Sequence, residues 1–186
     1  MRSPRAIITA LTHRVKVLDT LVKDYQNIGV NGARSTSMCR ASDTGECDFG
    51  IVNATARDAD DVPALVFYAM VANDVCNGHG FGSMTKPDEF RQKVTGTLAY
   101  LDGRLPSGSH VVFIGLMDGR MMWNTMKDVK YPLLPLTYQQ LWGITSLIGK
   151  NPCLGWLQPN ATARNLTTAW AESLNDVLRD LTANNN

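Results

Sequence analysis

Two long apolar runs dominate the hydrophobic pattern of the chain, at residues 64–72 and at residues 110–116, where His110 opens the run. Runs of this kind are typical of strands buried on both faces of a parallel sheet. The segment between them carries Phe90, Val94, Leu98 and Leu101 at helical spacing, with Thr85 placed to cap that helix. Strand, helix and strand in this order predict a right-handed βαβ crossover and an α/β fold.

Three further helices follow from the pattern. Residues 4–23 place apolar side chains on one helical face, at Ile7, Ile8, Leu11, Val15, Leu18 and Leu21. Thr137 and Gln140 form a capping box for a helix over residues 138–148. A last helix is expected at about residues 168–181. Residues 38–62 are polar with little periodicity and predict a weakly helical or irregular surface segment.

Asn73 with Asp74, and separately Gly32, interrupt this pattern at places where ligands often bind. Asn73 and Asp74 end the first apolar run, which is where open α/β sheets place their ligand chemistry, although an Asx turn also explains them. Gly32 lies in a glycine- and asparagine-rich turn, for which positive backbone angles are expected. If a helix starts just after Gly32, the Gly32 N–H lies at a helix N-terminus, which is a natural anion site. The alternative is an ordinary glycine-rich loop.

Residues 117–123 are rich in methionine and end in a tryptophan. This segment lines an apolar ligand pocket or forms a short core helix, and the pattern favours neither alternative.

Composition narrows the class of protein. The chain has 186 residues, 44% hydrophobic and 19% charged, which is enough for the core of one soluble domain. A formal charge of +1 gives no electrostatic reason to expect nucleic acid as a partner. No apolar run approaches the roughly 20 residues of a transmembrane helix. The first residues make a poor signal peptide, because their apolar stretch is broken.

Cysteines and sequons indicate an oxidising compartment. Cys39, Cys47, Cys76 and Cys153 are too scattered for a zinc site, so disulfides or buried thiols fit them better. Asn-x-Thr sequons occur at Asn53, Asn160 and Asn165. Together they favour a secreted or lumenal protein, which conflicts with the missing signal peptide.

Several stretches, all in one order, carry a family resemblance. Residues 27–32 and Val71-Ala72-Asn73-Asp74 resemble the second and third sequence blocks of the SGNH (GDSL-type) ester hydrolases. More closely, the chain resembles the acyloxyacyl hydrolases, secreted or lysosomal lipases that remove secondary acyl chains from lipopolysaccharide. The matching stretches are residues 24–28, 31–33, 66–76, 106–110, 115–119 with Trp123, 152–156 and 160–164. They span about residues 24–182.

The resemblance implies a flavodoxin-like three-layer α/β/α sandwich with a parallel sheet, present here as a partial SGNH domain that is incomplete at both ends. It also implies an oxyanion hole, to which Gly32 gives a backbone N–H and Asn73 a side-chain amide. The family's third block usually begins with glycine, whereas Val71 and Ala72 precede Asn73 here. This departure makes the local backbone less permissive.

Half of the family's active site is absent from the sequence. No Gly-Asp-Ser precedes Gly32 and no Asp-x-x-His follows Asn73. His79 and His110 are poor substitutes, because His79 lies in a glycine-rich loop and His110 opens a strand at the edge opposite the site. We therefore expect Met1 to be an internal or misassigned start of a longer protein, whose upstream part supplies the nucleophile and a signal peptide.

The interpretation of the sequence is the central portion of a lipase or esterase that hydrolyses fatty-acyl esters without a cofactor or a metal. Asp118 and Trp123 are the candidates for the substrate cleft. The resemblance implies a Cys76–Cys153 disulfide, a saposin-like region elsewhere in the protein, and a secreted or lysosomal location. Two alternatives stay open: a non-catalytic fragment or lipid-binding remnant, and a doubly wound small-ligand module.

Overall fold

The computed structural model describes residues 5–8, 25–27, 29, 32–38, 40–41, 47–48, 63–69 and 71–184. Residues 9–23 of the predicted first helix, Cys39 and the sequon at Asn53 lie outside this part. The chain divides into two compact units, one made of Met1–Met70 with Asp88–Gly115 and the other of Val71–Pro87 with Leu116–Asn186. The elements, in chain order, are β1 Arg5–Ile8, β2 Tyr25–Asn27, α1 Ser35–Met38, β3 Arg40–Ala41, β4 Cys47–Asp48, β5 Ala64–Tyr68, α2 Val71–Val75, α3 Pro87–Asp102, β6 His110–Phe113, α4 Arg120–Met126, α5 Tyr138–Leu147 and α6 Ala161–Asn184, with a 3₁₀ turn at Phe81–Ser83.

The first unit contains a four-stranded parallel sheet in the order β2-β1-β5-β6. Its register places Val66 beside Ile7 on one side and beside Val111 on the other. Helix α3 lies between β5 and β6 in the chain, so the predicted strand–helix–strand succession and the α/β class are confirmed. Within α3 the buried residues are Phe90, Val94, Thr97 and Leu101. Thr97 thus takes the buried position that we predicted for Leu98, which is half-buried.

The helix predicted over residues 4–23 is wrong at its beginning, because Arg5–Ile8 is a strand. It hydrogen-bonds to β2 on one side and to β5 on the other, and is therefore interior to the sheet. The β-branched pair Ile7-Ile8 suits a strand, and a short apolar run fits both periodicities. Pairing with β2 and β5 therefore determines that this segment is a strand and not a helix.

Residues 38–62 contain more order than the sequence indicates. Strands β3 and β4 pair in an antiparallel two-stranded ribbon, with Ala41 opposite Cys47. The prediction of a weakly helical or irregular segment is wrong at these positions, because the ribbon's pairing is a tertiary feature without a periodic signal.

The apolar run at residues 64–72 is a strand only as far as Tyr68. Its burial alternates, with Ala64, Val66 and Tyr68 buried and the residues between them half-buried. The Tyr68 carbonyl accepts from Ile114 N–H (2.9 Å), just beyond the last residue of β6. The chain then turns into the short helix α2, so Asn73 and Asp74 lie in a helix rather than at a strand end or in an Asx turn.

The second unit is helical. Its longest helix, α6, buries one face along its length, through Thr167, Ala171, Leu174, Asn175, Val177, Leu178 and Leu181. The helix begins at Ala161, earlier than predicted, since the Asn160 side chain accepts from Ala163 N–H (3.2 Å) in its first turn. The predicted capping box of α5 is confirmed, with both Thr137–Gln140 hydrogen bonds present. Across the described residues, no helix is long and apolar enough to cross a membrane.

Candidate functional site

Asn73 lies in helix α2 of the second unit beside a fully buried residue pair. Asp74 and Val75 have no exposed surface, whereas Asn73 is half-buried. The Thr85 hydroxyl donates to Asp74 Oδ1 (2.6 Å), and the Thr85 N–H donates to the Asp74 carbonyl (2.8 Å). Thr85 therefore holds both the side chain and the backbone of the residue that follows Asn73.

The same threonine connects helix α2 to helix α6. The Thr85 carbonyl accepts from the Trp170 indole N–H (2.9 Å), and the Trp170 ring packs edge-on against Phe81, with ring centroids 5.9 Å apart. Helix α2 also contacts α6 directly. We predicted Thr85 as a helix cap, but the structure uses its hydroxyl for Asp74, which lies eleven residues earlier.

A disulfide joins Cys76 to Cys153, as the resemblance implied. Beside it, the Asn77 carbonyl accepts from Leu154 N–H (2.9 Å). Asn151 is buried and organises the loop that carries Cys153, because its amide donates to the carbonyls of Trp142 and Leu157 and its Oδ1 accepts from Cys153 N–H (2.8 Å). The chain leaving α2 is therefore cross-linked to a rigid loop.

Gly32 belongs to the first unit, in a turn before helix α1. Its φ is +78°, so the positive backbone angle expected from the sequence is present. A Cβ added there would meet nothing within 4 Å, so the conformation and not the space requires glycine. The residues just after it, Ala33 and Ser35, are buried. Of the two alternatives left open by the sequence, a helix start or an ordinary loop, the structure shows a short helix after this turn, Ser35–Met38.

Asp118 is a charged residue held at the surface of the second unit. The Arg120 guanidinium donates to both of its carboxylate oxygens, with Nε 2.8 Å from Oδ2, and this bond lowers the pKa of Asp118 to about 2. The Arg120 N–H and the Thr168 hydroxyl also donate to Oδ1. Thr168 in turn accepts from the Trp156 indole (3.0 Å), so the carboxylate ends a chain of hydrogen bonds that starts inside the unit.

Trp123 lies in the interior of the second unit and is only 4% exposed. Its ring packs against Trp142, with centroids 5.6 Å apart, and the Arg164 guanidinium stacks over it at 4.8 Å. Met121 and Met122 on the same helix are exposed. Of the two alternatives for this segment, the short helix with a tryptophan in the core is the observed one.

Close packing also fixes Gly119, which precedes helix α4. A Cβ at this position would overlap the indole ring of Trp156. Both residues lie in stretches that carried the family resemblance, but their contact was not visible in the sequence. The contacts of Thr85, Asn151 and Thr168 were not visible in the sequence either, since a threonine or asparagine gives no sequence signal for a partner many residues away.

Comparison with known proteins identifies similar chains. No protein-family profile matches the chain. It is 36% identical to the human acyloxyacyl hydrolase over 167 residues, which is 87% of this chain and 28% of the human protein. The chain is acyloxyacyl hydrolase-like. The enzymes of that name from mouse and from Oryctolagus cuniculus are also 36% identical, over 165 and 168 residues. The chain thus spans just over a quarter of the length of these relatives.

The acyloxyacyl hydrolase-like chain offers hydrogen-bond donors and a surface carboxylate. Within the described residues, no group of three or more His, Cys, Asp or Glu side chains is placed to hold a metal ion. His79 and His110 are both exposed. The second unit thus holds a half-buried asparagine in helix α2, and the first unit holds, by itself, a glycine with positive φ in a turn.

Proposed function

We propose that this chain is part of a larger SGNH-type hydrolase that cleaves acyl esters of lipids, and that it supplies two oxyanion-hole donors. The observation that carries this proposal is the 36% identity to acyloxyacyl hydrolases over 87% of the chain. Those relatives are named for cleaving an acyl group from the hydroxyl of another acyl chain. A fatty-acyl ester of a lipid is accordingly the substrate class, and lipopolysaccharide the specific case implied by the family.

The strand order supports the flavodoxin-like part of the proposal. Numbered along the chain, the four parallel strands lie in the order 2-1-3-4, with which flavodoxin-like doubly wound sheets also begin. In such sheets ligands bind beyond the carboxyl ends of the strands, near the first and third strand. The turn at Gly32 and helix α2 follow the second and third strand in the chain.

The proposed chemistry requires donors aimed at a developing negative charge. A serine from outside this chain attacks the ester carbonyl, its proton passes to a base, and the carbonyl oxygen becomes an oxyanion. The Gly32 N–H and the Asn73 amide then donate to that oxygen. The intermediate collapses by expelling the lipid hydroxyl, which takes up the proton, and water releases the fatty acid from the serine in the same manner.

The structure around Asn73 suits such a donor. Asp74 is fully buried while Asn73 keeps part of its surface, so Asn73 is the accessible member of the pair. Asp118 and Trp123 remain candidates for the substrate cleft. Asp118 presents a carboxylate that is about one-third exposed. Trp123 itself is buried, and its helix presents Met121 and Met122 to solvent. A secreted or lumenal location is part of the proposal and is supported by the disulfide.

The test is fluorophosphonate labelling of the native protein in an extract of its source, with the size read by immunoblot. A labelled band well above the 20.4 kDa of this chain supports the proposal. In that protein Asn73→Ala should lower kcat by about 10²–10³, because one oxyanion donor is lost. Asn124→Ala removes an exposed amide of the same unit and should change nothing. An unlabelled band near the size of this chain would instead favour the non-catalytic alternative.

A further inference from the structure

Residues 129–150 of the second unit present an unusual number of large apolar side chains to solvent. Leu133, Leu147 and Ile148 are 80%, 89% and 65% exposed. Single exposed apolar residues are ordinary, but a set grouped on one helix and the loop before it marks an interaction surface. We call this set the α5 apolar surface; it consists of Val129, Leu133, Leu134, Ile144, Leu147 and Ile148.

The helical half of this surface lies on the outward face of α5. Trp142 is buried and stacks with Tyr138, so these two side chains mark the inward face. At 100° per residue, Ile144, Leu147 and Ile148 lie about 120° or more around the helix from Trp142. The helix is therefore apolar on both sides, and its inner face is already satisfied by the core of the unit.

The loop half is held in place rather than frayed. Tyr131 N–H donates to the Leu136 carbonyl (2.7 Å), and the Tyr131 ring packs edge-on against Tyr138 at 5.4 Å. A β-bridge between Lys130 and Thr137 closes the base of the loop, directly before α5. Leu133 and Leu134 stand at its tip. A loop braced in this way keeps its leucines in solvent as part of the fold.

Charge along the same segment has one sign. Its charged side chains are Lys130 and Lys150, and it contains no Asp or Glu; the exposed Asp128 just before it forms an ion pair with Lys127. Both lysines are exposed, one near each end of α5. Helix α6 of the same unit differs, since it combines Arg164 and Arg179 with the acidic residues Glu172, Asp176 and Asp180.

We propose that the α5 apolar surface docks onto an anionic lipid bilayer. Protein interfaces deplete lysine and rely on tryptophan, tyrosine and arginine, whereas this surface combines exposed aliphatic side chains with two lysines. Aliphatic groups suit the acyl boundary of a bilayer, and lysines suit its phosphates. The proposal concerns binding alone and does not depend on ester hydrolysis.

Flotation of the full 186-residue chain with vesicles tests the proposal, because aggregated protein does not float. The vesicles contain equal parts of phosphatidylcholine and phosphatidylglycerol, or phosphatidylcholine alone. The chain should bind the anionic vesicles more tightly. Leu133→Glu with Leu147→Glu should weaken this binding more than about tenfold, as apolar burial is lost. Lys130→Glu with Lys150→Glu should weaken it about tenfold or more and remove most of its salt dependence.

The matched control is Leu166→Glu, which changes an exposed leucine of α6 in the same unit and should bind like the wild type. Far-UV circular dichroism checks that each variant keeps its helix content, as expected for exposed positions. Absence of vesicle binding, or equal binding by the leucine pair and the control, would overturn the proposal. So would a wild-type dimer that the leucine pair converts to monomer without any vesicle binding, since the surface would then serve a second copy.

Discussion

The turn at Gly32 and the helix that carries Asn73 differ in how their conformations are determined. Gly32 needs a positive φ, and open space surrounds the position where a Cβ would lie. Helix α2 instead depends on Thr85, Trp170 and the disulfide from Cys76, which come from distant parts of the sequence. One candidate donor therefore relies on the backbone freedom of a single residue, and the other on tertiary contacts.

Removing the disulfide should produce the largest effect. Cys76 and Cys153 are 77 residues apart, and closing a loop of that length restricts the unfolded chain. The double change Cys76→Ser and Cys153→Ser should lower the free energy of unfolding by about 4 kcal/mol. Urea unfolding of the two proteins measures the difference. A double variant as stable as the wild type would show that α2 does not need this cross-link.

Thr85→Val should come next. Valine keeps the shape of threonine but removes the hydroxyl that donates to the buried Asp74 Oδ1. This loss should lower the free energy of unfolding by about 1–3 kcal/mol. Thr85→Ser keeps the hydroxyl and should recover most of that loss. In the complete enzyme of the proposed function, Thr85→Val should lower kcat with little change in KM, because Asn73 would be less well positioned.

The matched control for this variant is Thr97→Val. Thr97 is also buried, but its hydroxyl donates to the Lys93 carbonyl within its own helix (2.9 Å). Such i−4 bonds contribute little to helix stability, so the change should cost less than Thr85→Val. Equal losses for the two variants would contradict the role given to the Thr85–Asp74 bond.

Gly32→Ala tests whether the turn at this position depends on the backbone freedom of glycine. An alanine at φ +78° should cost about 1–2 kcal/mol, since the left-handed conformation brings its Cβ close to the following carbonyl. Gly143→Ala is the control, because that glycine is helical, has no positive φ and has no neighbour within 4 Å of an added Cβ. It should raise stability by up to about 1 kcal/mol. Thermal unfolding should show a lower Tm for Gly32→Ala and a higher Tm for Gly143→Ala.

This comparison also explains what the sequence can predict. The positive φ of Gly32, the capping box at Thr137 and the last helix depend on short-range patterns, and each is confirmed in the structure. The Cys76–Cys153 bond is confirmed as well, but the family resemblance and not the spacing predicted it. Resemblance therefore contributed where local pattern has no information.

The predictions of secondary structure are wrong where tertiary contacts determine whether a segment is a strand or a helix. Arg5–Ile8 satisfies a helical pattern but pairs as an interior strand, and the apolar run after Ala64 changes from strand to helix at Val71. For the same reason the sequence did not reveal the partner of Thr85. The resemblance named Gly32 and Asn73 as candidate donors, and that assignment stays a prediction, while the contacts that hold Asn73 in place had no sequence signal.

Asp118 gives the smallest expected effect and contrasts with Asp74, the buried aspartate of the same unit. Arg120, with Thr168, holds the Asp118 pKa at about 2, below the ordinary value of 3.8. A carboxyl whose pKa is lower in the folded state stabilises the protein above pH 3.8, and this contribution is lost as the pH falls towards 2. Because the side chain is about one-third exposed, solvent screening limits the contribution to about 1 kcal/mol.

Asp118→Asn should therefore lower the free energy of unfolding near neutral pH and make little difference near pH 2. Urea midpoints of both proteins across that range measure the change. A difference that stays constant with pH would mean that the carboxylate charge adds nothing and that asparagine merely fits the site less well. A difference that closes between pH 4 and 2 would show that charge fixes the start of α4 from the surface, whereas α2 is fixed from inside.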